Sequence, residues 1–210
     1  MTAPSRSLRN LVMHKSAFRL IVEPLAIAVV LALFVRATFG LYVIPSSSMA
    51  PTLMAGDHIV VTPYRFGRTP SRGDVIVFRS PRSAEELMIK RVVGTPGDLV
   101  ETRGGRVIVR GHAIPESYVA AQATTGFIAS QIVPAGCYFV LGDNRADSFD
   151  SRSWGVLPRA FVLGRARMIL WSSERGMVSG QWGEVAAFSP RPHSPLPTPS
   201  RAARLFKRIQ

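Results

Sequence analysis

The sequence predicts a mainly β protein, an antiparallel coiled sheet or partly closed barrel, carried behind a single N-terminal transmembrane helix. Three observations lead there. From residue 57 onward the chain advances in short apolar runs separated by Gly and Pro, at spacings that suit antiparallel hairpins better than βαβ units. No long amphipathic helix interrupts those runs. Ahead of them lies an uncharged apolar stretch, Pro24 to Val35, behind a basic tail.

Residues 1–19 carry Arg6, Arg9, Lys15 and Arg19 and no acid, which reads as a basic tail. Residues 20–43 read as the anchor, broken only by Glu23 and Arg36. A helix beginning at Pro24, a favourable first position, and running to about Tyr42 would approach the ~20 residues that a bilayer requires. Arg36, in its last two turns, could snorkel to the interface. A cleavable leader has the same basic and apolar regions, but here the apolar stretch continues into Ala37 to Ile44 with no clear small-x-small site. An uncleaved anchor is favoured. After Arg36 the next cation is Arg65, so the positive-inside rule places the tail in the cytoplasm and the remainder outside it.

Residues 44–188 form the expected β domain. Strands are predicted over 58–62, 74–79, 87–93, 99–102, 106–110, 138–141 and 161–171, with turns at Thr95-Pro96-Gly97-Asp98 and Gly104-Gly105. Residues 113–136 lack a pattern and read as an insertion. Residues 189–200 hold five prolines and read as an extended linker. The last ten residues, RAARLFKRIQ, fit either a short surface helix or a docked terminus.

Composition narrows the function. The formal net charge is +13, but the arginines are spread along the chain with no recognition helix, so attraction to anionic lipid is expected and nucleic acid is not. The single cysteine, Cys137, rules out an intrachain disulfide and reads as a small buried hydrophobe. Four scattered histidines make no metal-ligand spacing, and neither His58 nor His112 comes with a triad motif. Neither a metal nor another cofactor is expected.

Chemistry is concentrated in Ile44 to Asp57, IPSSSMAPTLMAGD. Pro45 and Pro51 stiffen a segment that cannot be helix interior, and Ser46, Ser47 and Ser48 are held within it. A bare serine run is usually a linker, and Lys90 changes that reading. Of the 26 cationic residues only Lys15, Lys90 and Lys207 are lysine. Lys90 lies in an apolar strand and shares a face with Met88 and Val92. Arginine stays protonated, whereas a buried lysine can lose its proton and serve as a general base. The alternative is an ammonium that snorkels to water.

Four stretches in order, IPSSSMAPTL, RGDVIVF (Arg72 to Phe78), MIKRVVGTPGD (Met88 to Asp98) and LGDNRADSFDSRSWG (Leu141 to Gly155), resemble the signature boxes of bacterial type I signal peptidases. The resemblance implies a membrane-bound endopeptidase that removes signal peptides from exported preproteins at the cytoplasmic membrane. It implies Ser48 as nucleophile, Lys90 as base, Ser46 with the Ser48 N–H as oxyanion donors, and Ser148 as the residue orienting the lysine. Arg91, Asp143, Asp150 and Arg152 match positions of structural ion pairs. Ile44, Pro45, Met49, Leu53 and Ile89 match the walls of shallow pockets that admit small side chains. Two departures stand out: Ser47 replaces a usual Gly, which would strain the backbone if φ is positive there, and Ala146-Asp147 replaces a usual Asp-Asn. A self-cleaving repressor would need a DNA-binding domain in place of the apolar segment. An inactive paralogue, a membrane-anchored binding domain, would keep most of the pattern.

Overall fold

The structure is a computed structural model that describes residues 6–83, 85–120, 123–172 and 208–209, with side chains described from residue 20 except Ala37. The Pro-rich linker expected at 189–200 and most of the basic terminal segment lie outside the described residues. The chain divides into two compact units, Met1–Gly40 and Leu41–Gln210.

The first unit is a helix, α1 (Arg6–Thr38). Pro24 lies inside it, not at its start: leucine, alanine and other helix formers on both sides carry the helix through at the cost of one backbone hydrogen bond. It also ends before Tyr42. Phe39 N–H closes the last turn on the Val35 carbonyl at 2.9 Å, Gly40 follows, and Tyr42-Val43-Ile44 prefer extended backbone. Leu20, Ile21, Leu25, Ile27, Val30 and Phe34 are all exposed. Among the described residues no helix is long and apolar enough to cross a membrane.

In the second unit the strands are β1 (Gly40–Val43), β2 (Asp57–Thr62), β3 (Val75–Arg79), β4 (Leu87–Gly94), β5 (Leu99–Arg103), β6 (Arg106–Val109), β7 (His112–Ala113), β8 (Gln131–Ile132), β9 (Cys137–Leu141), β10 (Leu157–Pro158) and β11 (Val162–Ser172), with a four-residue helix α2 (Ser151–Trp154) before β10. Among the described residues they form a seven-stranded sheet, β1-β2-β11-β3-β4-β9-β10, and a four-stranded sheet, β7-β6-β5-β8. Neither order returns on itself, so among the described residues the sheets form no closed barrel. The large sheet ends in short strands, and Pro158 in β10 has no N–H to offer a further neighbour. β11 spans two partners by bulging: its register shifts between Ala166 and Met168 and between Ile169 and Trp171 against β2. At Gly164 a Cβ would lie 2.5 Å from the Thr62 carbonyl, so only glycine permits that approach.

β4 is buried on both faces from Ile89 on, which is why it reads as a continuous apolar run. Ile89 enters a cluster with Ile44, Met49, Leu53, Ile59 and Val75. Val93 enters a second with Val100, Val107 and Phe139, between the sheets' residues. Met88 and Val92 face a third with Ile76, Phe78, Val140 and Leu157, and Lys90 lies between them on that face.

Candidate active site

The serine segment hangs from a closed loop. Ile44 N–H bonds the Asp57 carbonyl and Gly56 N–H bonds the Ile44 carbonyl, each at 2.9 Å, so β1 turns back antiparallel to β2. Met54 N–H donates to the Asp57 carboxylate at 2.8 Å. Met49 and Leu53 are completely buried in the first cluster and tie the loop to the core. These ties set Ser48 down into the protein, 8% exposed, while Pro45, Ser46 and Ser47 stay at the surface. The strain expected at Ser47 is absent: among the described residues the non-glycines with positive φ are Phe66 and Arg110.

Lys90 meets Ser48 there. Strand pairing places Lys90 opposite Ile76, and the side chain, 3% exposed, brings Nζ to 2.6 Å from Ser48 Oγ. Burial disfavours the ammonium most, and Arg152 adds repulsion. Asp150, Glu86 and Asp143 oppose the shift without cancelling it, and the amine falls from 10.5 to about 8. About a tenth of the lysine is therefore neutral at pH 7. At 2.6 Å a neutral amine is close enough to accept a proton from the hydroxyl. Ser46 Oγ lies 3.3 Å from Ser48 Oγ. Among the described residues the Ser48 N–H has no hydrogen-bond partner.

The loop between β9 and α2 braces this pair. Asn144 N–H donates to the Ser48 carbonyl at 3.1 Å, its side-chain amide to the Ser47 carbonyl at 3.3 Å, and Ser47 Oγ donates to Asp147 at 3.1 Å. The two departures from the resemblance thus contact each other. At Gly142 a Cβ would lie 2.5 Å from the Ser48 carbonyl and 2.1 Å from Ser148 Oγ, so this approach also demands glycine. Asp143 accepts a bidentate pair from Arg91 at 2.8 and 2.7 Å and a third bond from Thr52 at 2.6 Å. Asp150 caps α2, accepts Gly142 N–H at 3.0 Å and pairs with Arg152 at 2.8 Å. Burial alone would raise the Asp150 carboxyl, but these donors together hold it low.

Ser148 does not bond Lys90 in this geometry; its buried hydroxyl makes no well-formed hydrogen bond among the described residues but lies near enough to the Asp150 carboxylate to help hold it low. Ile44, Met49, Leu53 and Ile89 are buried in the first cluster beneath the serine segment, and Pro45 is exposed at its rim. His58 stacks on Trp171 with ring centroids 4.2 Å apart, and His112 bonds the Arg110 carbonyl, so neither approaches Ser48 as a base would. Sequence reading missed Arg145. This fully buried guanidinium pairs with Glu116, bonds Thr125, and donates to the Gly142 carbonyl at 3.1 Å. Tyr118 lies under the Arg91 guanidinium, 3.9 Å from ring centroid to carbon. Glu116, Tyr118 and Thr125 come from the unpatterned 113–136 stretch, where no local signal marks a residue that matters only through a contact distant in sequence.

Among the described residues no group of His, Cys, Asp or Glu is arranged to hold a metal ion. The chain matches the model of the family described as "Signal peptidase, peptidase S26" over residues 18–171. It is 39% identical to the Signal peptidase I of Leptolyngbya laminosa over 165 residues, 73% of this chain and 80% of that one. It is 40% identical to the Probable signal peptidase I-2 of Synechocystis sp. over 157 residues, 70% and 71% of the two chains. A crystal structure of a signal peptidase I from Enterococcus faecalis V583 is 35% identical, with a TM-score of 0.42, and covers 47% of this chain and 97% of that one. The family match takes in the serine segment, the lysine strand and the bracing loop together, and on it this chain belongs to the type I signal peptidases, serine peptidases of family S26.

Proposed function

We propose that the protein is a membrane-bound serine endopeptidase that cleaves N-terminal signal peptides from exported preproteins after small-x-small sites, using Ser48 as nucleophile and Lys90 as general base. The observation that carries the proposal is the 2.6 Å approach of a buried, easily deprotonated lysine to a buried serine. Neutral Lys90 takes the Ser48 proton as Oγ bonds to the scissile carbonyl carbon. The resulting oxyanion is met by the Ser48 N–H and the Ser46 hydroxyl, which swings from Ser48 Oγ to the new charge. Lys90 then returns the proton to the leaving amine as the C–N bond breaks. Water enters and gives a proton to Lys90 as its oxygen bonds to the acyl carbon, and Lys90 passes that proton to Ser48 Oγ as the ester C–O bond breaks and the acid leaves.

Ser148 orients the Lys90 amine, its buried hydroxyl making no well-formed bond elsewhere. Ile44, Met49, Leu53 and Ile89 form an already filled apolar floor under the serine segment, with Pro45 at the rim. Such a floor leaves room for small side chains only, in keeping with Ala-like residues one and three positions before the cut.

In this reading α1 is the membrane anchor. Its apolar side chains are exposed, and bilayer contact removes that cost. Arg6, Arg9, Lys15 and Arg19 keep the tail cytoplasmic, and the β domain stands on the extracytoplasmic face of the inner membrane beside its preprotein and lipid partners. The test is incubation of detergent-solubilised full-length protein with a preprotein bearing an Ala-x-Ala site. Wild type is expected to release the mature chain, and Ser48→Ala and Lys90→Arg to release none. Turnover by either variant at a tenth of the wild-type rate would overturn the dyad.

A further inference from the structure

β11 changes neighbours along its length. Against β3 its register runs from Val162 to Arg165, whereas against β2 it runs from Arg165 to Ser172. Beyond Arg165 one edge of β11 therefore has no strand beside it among the described residues. The same stretch carries a bulge: Ala166 faces Val61 and Met168 faces Val60, so Arg167 between them has no opposite residue in β2. Its carbonyl needs a donor from elsewhere.

That donor is distant in sequence. Ile209 N–H bonds the Arg167 carbonyl at 2.9 Å, and Arg208 forms an antiparallel bridge with Met168. The two contacts lay residues 208–209 along the open edge, so of the two expectations for the basic terminal segment they fit the docked terminus. The Ile209 side chain is 5% exposed and belongs to the same apolar cluster as Ile44, Met49, Leu53, Ile59 and Ile89.

The catalytic pair rests on that cluster. Met49 directly follows Ser48 and is completely buried, and Ile89 directly precedes Lys90. Each partner in the 2.6 Å contact is thus the chain neighbour of a residue that shares a cluster with Ile209. A close-packed interior transmits a change of volume, and deleting part of an isoleucine leaves a space into which its neighbours relax. A shift of about 1 Å between reacting groups costs about 10²-fold in rate.

We propose that Ile209 is a positioning residue for the peptidase reaction: docked on the open edge of β11, it fixes the apolar floor that sets Ser48 Oγ against Lys90 Nζ. It acts through the cluster that holds Met49 and Ile89, not on the substrate. The proposal rests on the Ser48–Lys90 reading, and its test therefore includes a readout that needs no turnover.

Full-length protein in detergent carrying Ile209→Val, Ile209→Ala or Ile209→Asp is compared with wild type. Two quantities are read: kcat and KM on one preprotein, with kcat normalised to the folded fraction from urea unfolding, and amide hydrogen exchange of residues 44–57 and 99–109. Valine, which keeps the branched shape, is expected to stay within about twofold of wild type. Alanine is expected to lose about tenfold in kcat, and aspartate, a carboxylate in an apolar cluster, about 10²-fold, with KM little changed. Exchange of 44–57 is expected to quicken in the same order, while 99–109, whose Val100, Val107 and Val109 pack in the second cluster, stays as in wild type. Equal kcat per folded molecule for the valine and alanine variants, or exchange that quickens equally in both segments, would overturn the proposal; that pair decides it even where the aspartate variant fails to fold. A wild type that cleaves no preprotein would sink the peptidase reading, and the exchange comparison would still decide whether Ile209 fixes the serine segment.

Discussion

Replacing Lys90 with methionine should make the folded protein more stable at neutral pH while abolishing its activity. The side chain is 3% exposed, and its amine is lowered from 10.5 to about 8, chiefly by burial. That difference means the charged lysine costs the native state about 3 kcal/mol at pH values below 8. Between about 8 and 10.5 the unfolded chain holds a proton that the folded one has released, so wild-type stability rises with pH across this window and the cost is gone above it. Methionine keeps the volume beside Met88 and Val92 and removes the cost. It also removes the bond to Ser48, whose loss is worth about 1 kcal/mol. The net expectation is a gain of about 2 kcal/mol at pH 7 that shrinks as the pH approaches 10.5. Urea unfolding of both proteins in detergent at pH 7 and pH 10 measures it. A variant less stable than wild type at pH 7, or a difference that does not change with pH, would refute the reasoning.

Three further expectations follow from the same geometry. Ser46→Ala should lose about 10² to 10³ in kcat with KM little changed, because one oxyanion donor is gone while the Ser48 N–H remains; Ser47→Gly, which gives up only an exposed bond to Asp147, should stay near wild type, and steady-state kinetics on one preprotein ranks them. Asp143→Ala strands the buried Arg91 guanidinium and should cost about 3 to 5 kcal/mol in thermal or urea unfolding, where a loss under 1 kcal/mol would show that Arg91 is re-paired. Asp98 is pushed the other way from Lys90: burial raises its carboxyl, but Thr95, Arg72 and Arg110 outweigh this and bring it to about 2. Its contribution is present above about 3.8 and lost as pH falls toward 2, so Asp98→Asn should lower stability at pH 7 and flatten the loss on acidification.

The sequence was most legible where physics is local. Strands β2, β3, β4 and β9 follow from β-branched and aromatic runs, and their register brings Lys90 opposite Ile76, toward Ser48. Strands of two residues, β7, β8 and β10, have no period to read. The end of α1 is not legible in the pattern because apolarity continues from helix into β1 without a change of composition, and only Gly40 marks the boundary. Strong helix formers on both sides of Pro24 outweigh its preference for a first helical position. Arg91, Asp143, Asp150 and Arg152 were readable from the boxes, whereas Arg145 and its partner Glu116 meet across 29 positions with no motif in common. Ser47 does not take a positive φ, so the strain that such a conformation would bring does not arise.

The most direct measurement of the central claim is the pH dependence of kcat/KM on a single preprotein, because it reports the free enzyme's essential base. If Lys90 is that base, kcat/KM rises tenfold per pH unit below the amine's value, bends near pH 8, and levels above it. A profile that is already level through neutral pH, with no bend near 8, would contradict the assignment of Lys90 as the group that activates Ser48.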